Sequence, residues 1–500
     1  MTCTRRTPRR AAVTLTELLV AVCVVGILVG LTFAMFASAH RFADRLEGQV
    51  AQVSPKHAKK RAPRRPATTP QWIPNQYVVR FNASVTNPQA EATRLAGAVP
   101  AQVLSVYRNV FKGASVRIQP GDLAALKADP AVARVEQAHY IHAMNIPTGV
   151  SRIQYIHAPK PPPFQLLLPT LISSGPANPV NGNGPRNLPT GAGTTTTIGN
   201  TAPIKAVAVI DTGIDSTHPE LNVVFSMGFG NPDGEDQNSH GTHVSGTIGA
   251  RGISVTGVFP GVPLWSLRVL DASGSGSNSD LIDALDFLAT RASQVGVANL
   301  SLGGQFDQSV NDAIDACTAA GIVMCVAAGN SSEDSANLSP ASAPTAICVS
   351  AFADSDGLAG GKGAACSTGD NDDTFAVSFS CFGDVVAVCA PGVDIQSTFP
   401  IAMGSYGMDT GTSMATPHTA GMAALALSLG SSPSSSAGGN ASAPRNIPGA
   451  TNNGSGSGPG FPLLTTPAAV KTFLIQNTVE AIPGPGSGGG KRTYPLITGR

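Results

Sequence analysis

Residues 204–215, IKAVAVIDTGID, constrain the fold more than any other stretch of the chain. A run of alanine and β-branched residues has no polar face to turn towards water. It reads as a strand covered on both sides, the situation of strands in parallel sheets flanked by helices. The strand stops at Asp211, and Gly213 turns the chain. A carboxylate is thereby left at the carboxyl end of a central strand, where α/β sheets place their ligand sites. Taken singly the motif is ambiguous, because a strand-ending aspartate also serves as a helix cap.

With 500 residues the chain has room for two or three domains and a large core. Its formal charge of +1 hides an asymmetry. Residues 1–66 hold twelve Lys and Arg against three acids (+9), which leaves twenty against twenty-eight (−8) for the rest. A net-acidic globular part lacks the clustered Lys and Arg that phosphate neutralisation needs, so nucleic acid is set aside as a partner. Charged residues make up only 13%, beside 55 Gly and 39 Pro, a composition common among exported, loop-rich proteins. Six of the eight cysteines lie between Cys317 and Cys389 without a CxxC pair, which argues against zinc. Cys325, Cys348 and Cys389 sit in apolar runs and read as small buried hydrophobes. Cys366 and Cys381 flank a polar loop and are the best disulfide candidate, although connectivity does not follow from spacing.

Leu18 to Ala39 contains no charged residue and is long enough to span a bilayer. Arg5, Arg6, Arg9 and Arg10 precede it, and two readings of residues 1–40 stand side by side, both concerned with targeting. One is a secretory signal or membrane anchor, with Ala37-Ser38-Ala39 as a small-residue cleavage site. In the other, AVTLTELLVAV (12–22) resembles the type IV prepilin signal, with Glu17 five residues beyond a cut between Ala12 and Val13; that family usually has glycine where this chain has Ala12. Both send the remainder out of the cytoplasm, to the extracellular space or the cell envelope. Residues 41–71 follow as a basic, Pro-rich linker.

From Trp72 the pattern changes. QYVVRF (76–81) alternates as a strand, EATRLAGAV (91–99) suits a short helix, and VLSVYRNVFKGASVRI (103–118) gives two strands about a turn at Lys112-Gly113. GDLAALKADPAVARVEQ (121–137) is a helix capped near Asp122, interrupted at Pro130 and followed by a strand. This β-α-β-β-α-β order predicts a small ferredoxin-like α+β domain over 72–142.

Three motifs carry chemistry beyond the first strand. HGTHVSGTIGA (240–250) opens a close-packed helix with His240 at its start, and His243 reads as a packed structural residue. GTSMATPH (411–418) puts Ser413 at a helix start, where the macrodipole favours a developing anion. CVAAGN (325–330) is a buried strand ending in Asn330. None is persuasive singly, since a helix-initial serine is more often an N-cap. In combination, Asp211, His240 and Ser413 follow one of the chain orders in which an orienting carboxylate, a histidine base and a nucleophilic serine recur.

With these motifs the chain resembles the subtilase family of serine proteases over about residues 204–427, and VFKGASVRI and DPAVARVEQ resemble its inhibitor-type propeptide. The resemblance implies a three-layer subtilisin-like α/β fold with a mostly parallel central sheet, preceded by the small propeptide. It implies a serine endopeptidase over 143–500, acting through an acyl-enzyme and made as a zymogen cut between His139 and Asn145. Asp211, His240 and Ser413 would be the triad, with Asn330 and the Ser413 N–H as oxyanion donors. Gly274, Ser275 and Gly276, Ser301, Leu302, Gly303 and Gly304, and Ala327, Ala328 and Gly329 would line the substrate cleft. Such a cleft adds a peptide as a strand and reads side chains weakly. Its uncharged walls favour apolar or aromatic residues before the cut. No cofactor is needed for this chemistry, polypeptides and the chain's own propeptide are the partners, and the enzyme is expected to be a monomer, attached to membrane only through residues 18–39.

The loop RGISVTGVFPG (251–261) lacks the acid and amide ligands of the strong calcium site of bacterial subtilisins. Structural calcium is compatible with Asp370, Asp372 and Asp373, although these residues read first as a solvated acidic loop. Residues 430–463 are a Ser/Gly/Asn/Pro-rich insertion, and PAAVKTFLIQNTV (467–479) reads as the last helix. Two other classes remain open at this level: a catalytically silent binding protein of the same fold, and a pilin-like surface subunit.

Overall fold

The computed structural model describes residues 71–144, 204–357, 361–430, 464–476 and 481–497, and these belong to one compact unit, Thr68–Arg500. The leader, the basic linker and the low-complexity stretch beyond residue 430 lie outside them. Among the described residues no helix is long and apolar enough to cross a membrane.

Strands β1 (Trp72–Phe81), β2 (Ala101–Tyr107), β3 (Gly113–Ile118) and β4 (Val132–Ala143) form an antiparallel array in the order β4-β1-β3-β2, with helices α1 (Pro88–Ala98) and α2 (Leu123–Ala128) as connections. α1 starts where Asn87 accepts the Ala90 N–H and Pro88 presets the first turn. Alternation divides the strands between two environments. Tyr77, Val79, Phe81, Val116 and Ile118 pack on Ala92, Leu95 and Leu126. Val78, Tyr107, Val110, Phe111 and Ile141 instead join the core of the larger lobe. The β2–β3 turn occupies residues 108–112, earlier than the Lys112-Gly113 expectation, because Gly113 is already paired with Arg80; a Cβ there would meet Val79 O at 2.5 Å.

The larger lobe opens with β5 (Ala206–Asp211), β6 (Val223–Gly228), α3 (His240–Gly249), β7 (Leu264–Arg268), β8 (Ser275–Ser277), α4 (Asn278–Ala289), β9 (Val295–Leu300) and β10 (Leu302–Gln305). It continues through α5 (Gln308–Ala319), β11 (Val323–Ala327), β12 (Leu338–Ser339), β13 (Ile347–Ala353), β14 (Thr374–Phe375) and β15 (Val386–Pro391). A β16 (Ile395–Thr398) and β17 (Tyr406–Asp409) hairpin leads to α6 (Thr412–Gly430), α7 (Pro467–Gln476), β18 (Ala481–Pro485) and β19 (Lys491–Pro495).

The central sheet runs β14-β13-β11-β9-β5-β7-β6, with β15 beside β13, and is parallel except at β14. β5 shows why its sequence is apolar throughout. Ala206, Ala208 and Ile210 enter one core cluster while Val207 and Val209 enter the other. α4 and α5 cover the first face through Leu281, Leu285, Leu288, Val310 and Ile314. α3, α6 and α7 cover the second through Val244, Ile248, Met414, Ala420, Val470 and Leu474. The three-layer α/β architecture matches the expectation.

The six described cysteines are all free and buried. Cys366 and Cys381 are therefore not bridged: Cys366 packs in the cluster on the α6 face and Cys381 in the cluster on the α4 face, so the sheet separates them. The sequence also gave no sign of the terminal hairpin β18–β19. Buried Tyr494 accepts the Gly383 N–H at its hydroxyl (3.0 Å), and Arg492 donates to Gly383 O (2.6 Å) and Val386 O (2.9 Å).

The loop 251–256 is closed without the calcium ligands whose lack was noted above. Glu220 is fully buried and accepts the N–H groups of Gly252, Ile253, Ser254 and Val255 at 2.5–3.2 Å, with the Tyr406 hydroxyl at 3.3 Å. Burial works to raise its pKa, but the convergent donors outweigh it and hold the carboxyl below its ordinary 4.5. A depressed pKa stabilises the fold above the unfolded value, and that contribution is lost as pH falls through the folded value. Glu220→Ala is expected to strand these donors at a cost of about 1–3 kcal/mol, and it should shorten the thermal inactivation half-life at neutral pH. The gap between variant and wild type should narrow below pH 4.5; a gap constant with pH would contradict this account.

Candidate active site

Asp211 ends β5 and is buried, and its Oδ1 lies 2.7 Å from His240 Nδ1 and accepts the Thr212 N–H at 2.7 Å. Gly213 makes the turn behind it at φ +103°, with a would-be Cβ 2.6 Å from the Glu235 backbone, so no side chain fits. His240 is the first residue of α3 and follows Ser239 in the left-handed region at φ 104°.

A residue missed in the sequence holds this strained entry together. Asp236 accepts from the Thr212 hydroxyl, the Asn238, Ser239 and Thr242 N–H groups and the Thr242 hydroxyl at 2.6–3.0 Å. It thereby ties the end of β5 to the start of α3. Burial raises the Asp236 pKa despite these bonds. His240 shows the opposite balance. Burial alone would depress it, but the Asp211 charge and hydrogen bond, helped by Asp409 and Asp236, hold the imidazole above its ordinary 6.5. His243 is structural, as expected: its Nε2 lies 2.8 Å from Ile395 O, and burial pushes its pKa down to about 3.

Ser413 lies in the first turn of α6, where backbone N–H groups have no partner within the helix. Pro417 sits four residues on and has no N–H for the Ser413 carbonyl. The Ser301 hydroxyl takes that role, donating to Ser413 O at 2.8 Å, and the Ser413 hydroxyl donates to Ser301 O at 2.9 Å. His240 Nε2 is buried and has no hydrogen-bond partner among the described residues.

Asn330 is fixed in one orientation by Thr412, which sequence reading also missed. The Thr412 N–H and hydroxyl each donate to Asn330 Oδ1 at 2.9 Å, and the Gly329 N–H donates to Thr412 Oγ1 at 3.2 Å. An N–H can only donate, so the atom facing it is the amide oxygen and the NH2 group must point away. It points at β4. Asn330 Nδ2 donates to Met144 O at 2.6 Å, and the Ser413 N–H donates to the same oxygen at 3.2 Å. Gly329, at φ +110°, leaves no room for a side chain: a Cβ would meet Leu338 Cδ1 at 2.6 Å and Cys381 Sγ at 3.0 Å. Behind it, Cys381 donates its N–H to Gly329 O (2.9 Å) and its Sγ accepts the Ser331 N–H (3.4 Å).

β4 reaches this point as the middle strand between the two edges expected to bind substrate. Tyr140, Ile141 and His142 pair with Ser277, Gly276 and Ser275, while His142 and Ala143 pair with Gly303 and Leu302. The Ala143 N–H donates to Gly274 O (2.9 Å) and the Met144 N–H to Ser301 O (3.0 Å). Met144 Cε lies 2.6 Å from where a Cβ on Gly303 would sit. Gly304 passes beneath Tyr140, Ile141 and His139. Ala327 and Ala328 are buried at the end of β11, one residue short of the Gly329 turn.

A model described as the subtilase family matches residues 205–444. Subtilisin amylosacchariticus of Bacillus subtilis subsp. amylosacchariticus is 38% identical over 315 residues, which are 61% of this chain and 67% of that protein. The chain belongs to the subtilase family. Alkaline serine exoprotease A of Vibrio alginolyticus is 34% identical over 358 residues, 70% of this chain and 58% of that protein. The crystal structure of a cold adapted subtilisin-like serine proteinase is 30% identical, covering 63% of this chain and 95% of that chain with a TM-score of 0.44. As a subtilase the protein is an extracellular serine endopeptidase that acts on polypeptides and needs no cofactor for its chemistry; members of the family are typically made as zymogens.

Structural calcium is typical of the subtilase family, and among the described residues one acidic cluster shares only Asp372 with the set read from the sequence. Asp354, Asp356 and Asp372 bring carboxylate oxygens within 4.8 Å of one another. Asp370 instead binds the hydroxyls of Thr368 and Ser378, and Asp373 accepts the Gly361 N–H. Asp372 itself accepts from Ser355 and Gly363, so it is ordered by this subtilase's own loop.

The Thr412 contacts give a test of how Asn330 is oriented. The family resemblance implies that Asn330 is an oxyanion donor, and losing one such donor costs about 10²–10³ in kcat, a range established on another member of the family. Thr412→Val is expected to lower kcat by about tenfold or more within that limit, with KM little changed, while Thr412→Ser keeps most activity. Steady-state kinetics on a peptide amide check this, and a Thr412→Val enzyme altered only in KM would contradict it.

Proposed function

We propose that Asp211, His240 and Ser413 are the catalytic triad of this endopeptidase, with Asn330 and the Ser413 N–H as its oxyanion donors. We propose further that residues 72–144 are its inhibitory propeptide, cut at Met144–Asn145. The observation that carries both readings is the Met144 carbonyl, 2.6 Å from Asn330 Nδ2 and 3.2 Å from the Ser413 N–H at the end of a strand paired on both sides. Two convergent N–H donors on one carbonyl support its reading as the scissile one, their distances falling just either side of the roughly 2.7–3.1 Å expected around a tetrahedral oxyanion.

In this mechanism the Ser413 hydroxyl turns from Ser301 O towards His240 Nε2, which takes its proton as Oγ bonds to the Met144 carbon. The negative charge moves onto Met144 O between the two donors. Asp211 holds the Nδ1–H tautomer and stabilises the imidazolium. His240 then gives the proton to the leaving Asn145 amine, and the C–N bond breaks to leave an acyl-enzyme ester. Water, deprotonated by His240, hydrolyses the ester and releases Met144 as a carboxylate. The cleaved strand stays paired in the cleft as an inhibitor until it is degraded.

Met144 at Gly303, in a cleft with uncharged walls, supports a preference for unbranched apolar residues before the cut. The enzyme is proposed to act as a monomer, since one chain supplies both cleft edges and the whole triad. Residues 18–39 are proposed to direct export and, if retained, to anchor the zymogen.

Ser413→Ala is expected to leave the precursor uncleaved and unlabelled by a serine-directed phosphonate, whereas wild type is labelled and N-terminal sequencing of its mature form begins at Asn145. A mature start elsewhere would overturn the assigned bond. The pH profile tests the base. His240 accepts a proton only when neutral, and its pKa is held above 6.5, so kcat/KM should fall on the acid side with a midpoint above 6.5. Asp211→Asn removes the raising charge; it should move that limb down in pH and lower kcat by about 10⁴-fold. An acid limb unmoved by Asp211→Asn would assign it to another group.

A further inference from the structure

Two buried polar residues of the larger lobe meet β4 upstream of the segment that runs through the cleft. The His139 N–H donates to Asn278 Oδ1 at 3.1 Å, and its ring Nδ1 lies 3.4 Å from Asp307 Oδ2. Asn278 is fully buried and Asp307 is 5% exposed. The two residues are linked, since Asn278 Nδ2 donates to Asp307 Oδ2 at 2.7 Å, and Asp307 Oδ1 caps α5 by accepting the Val310 N–H at 3.0 Å. Gly304 forms the floor, with His139 Nε2 3.6 Å from where its Cβ would be.

This site is separate from the groups that hold Met144. Counting back from the Met144–Asn145 bond, His139 is the sixth residue before the cut. The arrangement has two parts of different character. Asn278 accepts a backbone N–H, which any residue supplies. Asp307 has one oxygen committed to the helix cap, while the other faces the side chain of the sixth residue. The helices on either side supply no competing cation: α4 carries Asp280, Asp283 and Asp286, α5 carries Asp312 and Asp315, and neither contains Lys or Arg.

Resting on the reading of β4 as a substrate-like strand, we propose that Asn278 and Asp307 form a specificity subsite for the sixth residue before the scissile bond, and that it selects a basic side chain, His, Lys or Arg. In the zymogen His139 fills it. After maturation the carboxylate is presented to polypeptide substrates, so the enzyme favours cuts downstream of a basic residue at that spacing. Backbone pairing across the nearer positions accepts most sequences; the buried carboxylate adds selection at a distance from the reacting atoms. A charge-assisted hydrogen bond formed in a largely desolvated site is worth roughly tenfold in affinity.

The test uses the mature enzyme obtained by processing of the full chain. Its probes are fluorogenic peptides X-Tyr-Ile-His-Ala-Met-Asn-Ser with X as Lys, His, Ala or Glu, and the truncated Ile-His-Ala-Met-Asn-Ser. Wild type should cleave the Lys and His peptides with kcat/KM severalfold above Ala and about tenfold or more above Glu. Asp307→Asn, which keeps a capping oxygen, should bring the Lys-to-Glu ratio close to one. Asn278→Ala should lower kcat/KM for every X relative to the truncated peptide, because it removes the backbone acceptor. A wild-type kcat/KM independent of X overturns the proposal without needing any variant, and so does a Lys-to-Glu ratio unchanged in Asp307→Asn. Cleavage of the truncated peptide at Met-Asn separates the two levels of inference. If that peptide is cut and X has no effect, only the subsite fails; if neither peptide is cut there, the cleavage-site reading fails and the subsite with it.

Discussion

One strand carries a single seven-stranded sheet from the small lobe into the large one, and the rest of the structure is arranged about it. β4 pairs with β1 in the small lobe and, through its last residues, with β8 and β10 of the large one. Backbone hydrogen bonds alone would position it only along its axis. Its lateral hold comes from Ile141, which is buried with Val78, Tyr107 and Phe111 in the same cluster as α4 and α5. Asp286 adds a polar clamp, accepting the N–H groups of Arg108, Asn109 and Val110 at 2.9, 2.5 and 2.9 Å. Arg80 and Arg134 reach Asp312 from the small lobe as well. A partly exposed ion pair of this kind contributes little, so apolar contact and the buried acceptor hold the lobes together.

The side chains proposed as catalytic depend on polar groups outside the triad. Asp236 closes the turn before His240, Thr412 orients Asn330, and Ser301 compensates for the N–H that Pro417 lacks. Each satisfies backbone or amide groups that would otherwise be costly to bury. The proline is instructive. It frees the Ser413 carbonyl, and the partner that fills the gap comes from Ser301, whose own carbonyl binds the Met144 N–H. Ser413 and the end of β4 are thus referred to one residue.

Asp211, His240, Ser413 and Asn330 could be singled out as candidates because each lies in a short motif rich in glycine and other small residues at the end of an apolar strand or the start of a helix, where local sequence dictates local geometry. The small lobe was legible through its alternating strands. Asp236, Thr412, Glu220, Asn278 and Asp307 were not, since their partners are backbone groups or side chains that fold proximity alone supplies; Asp307 and Asn278 are 29 residues apart. The proposed Cys366–Cys381 bridge failed for a related reason. Spacing around a loop does not reveal which side of a sheet each thiol enters. Only one of the three acids of the cluster, Asp372, was among those read from the sequence; Asp354 and Asp356 follow directly on β13. β18 and β19 escaped notice because Gly and Pro dominate EAIPGPGSGGGKRTYP, a composition that argues for loop until Tyr494 finds its slot.

That hairpin bears on biosynthesis. Tyr494 and Arg492 hold Gly383, two residues beyond Cys381, which in turn backs the Gly329-Asn330-Ser331 bend. Chains emerge from the ribosome at about 5–20 residues per second and fold from the N-terminal side. The brace behind Asn330 is therefore laid down only after Ser413 and some eighty further residues have been translated. For those seconds a nascent chain holds Asp211, His240 and Ser413 and yet lacks the support behind Asn330, so the order of synthesis places the Gly329-Asn330-Ser331 bend among the last parts of the site to be braced.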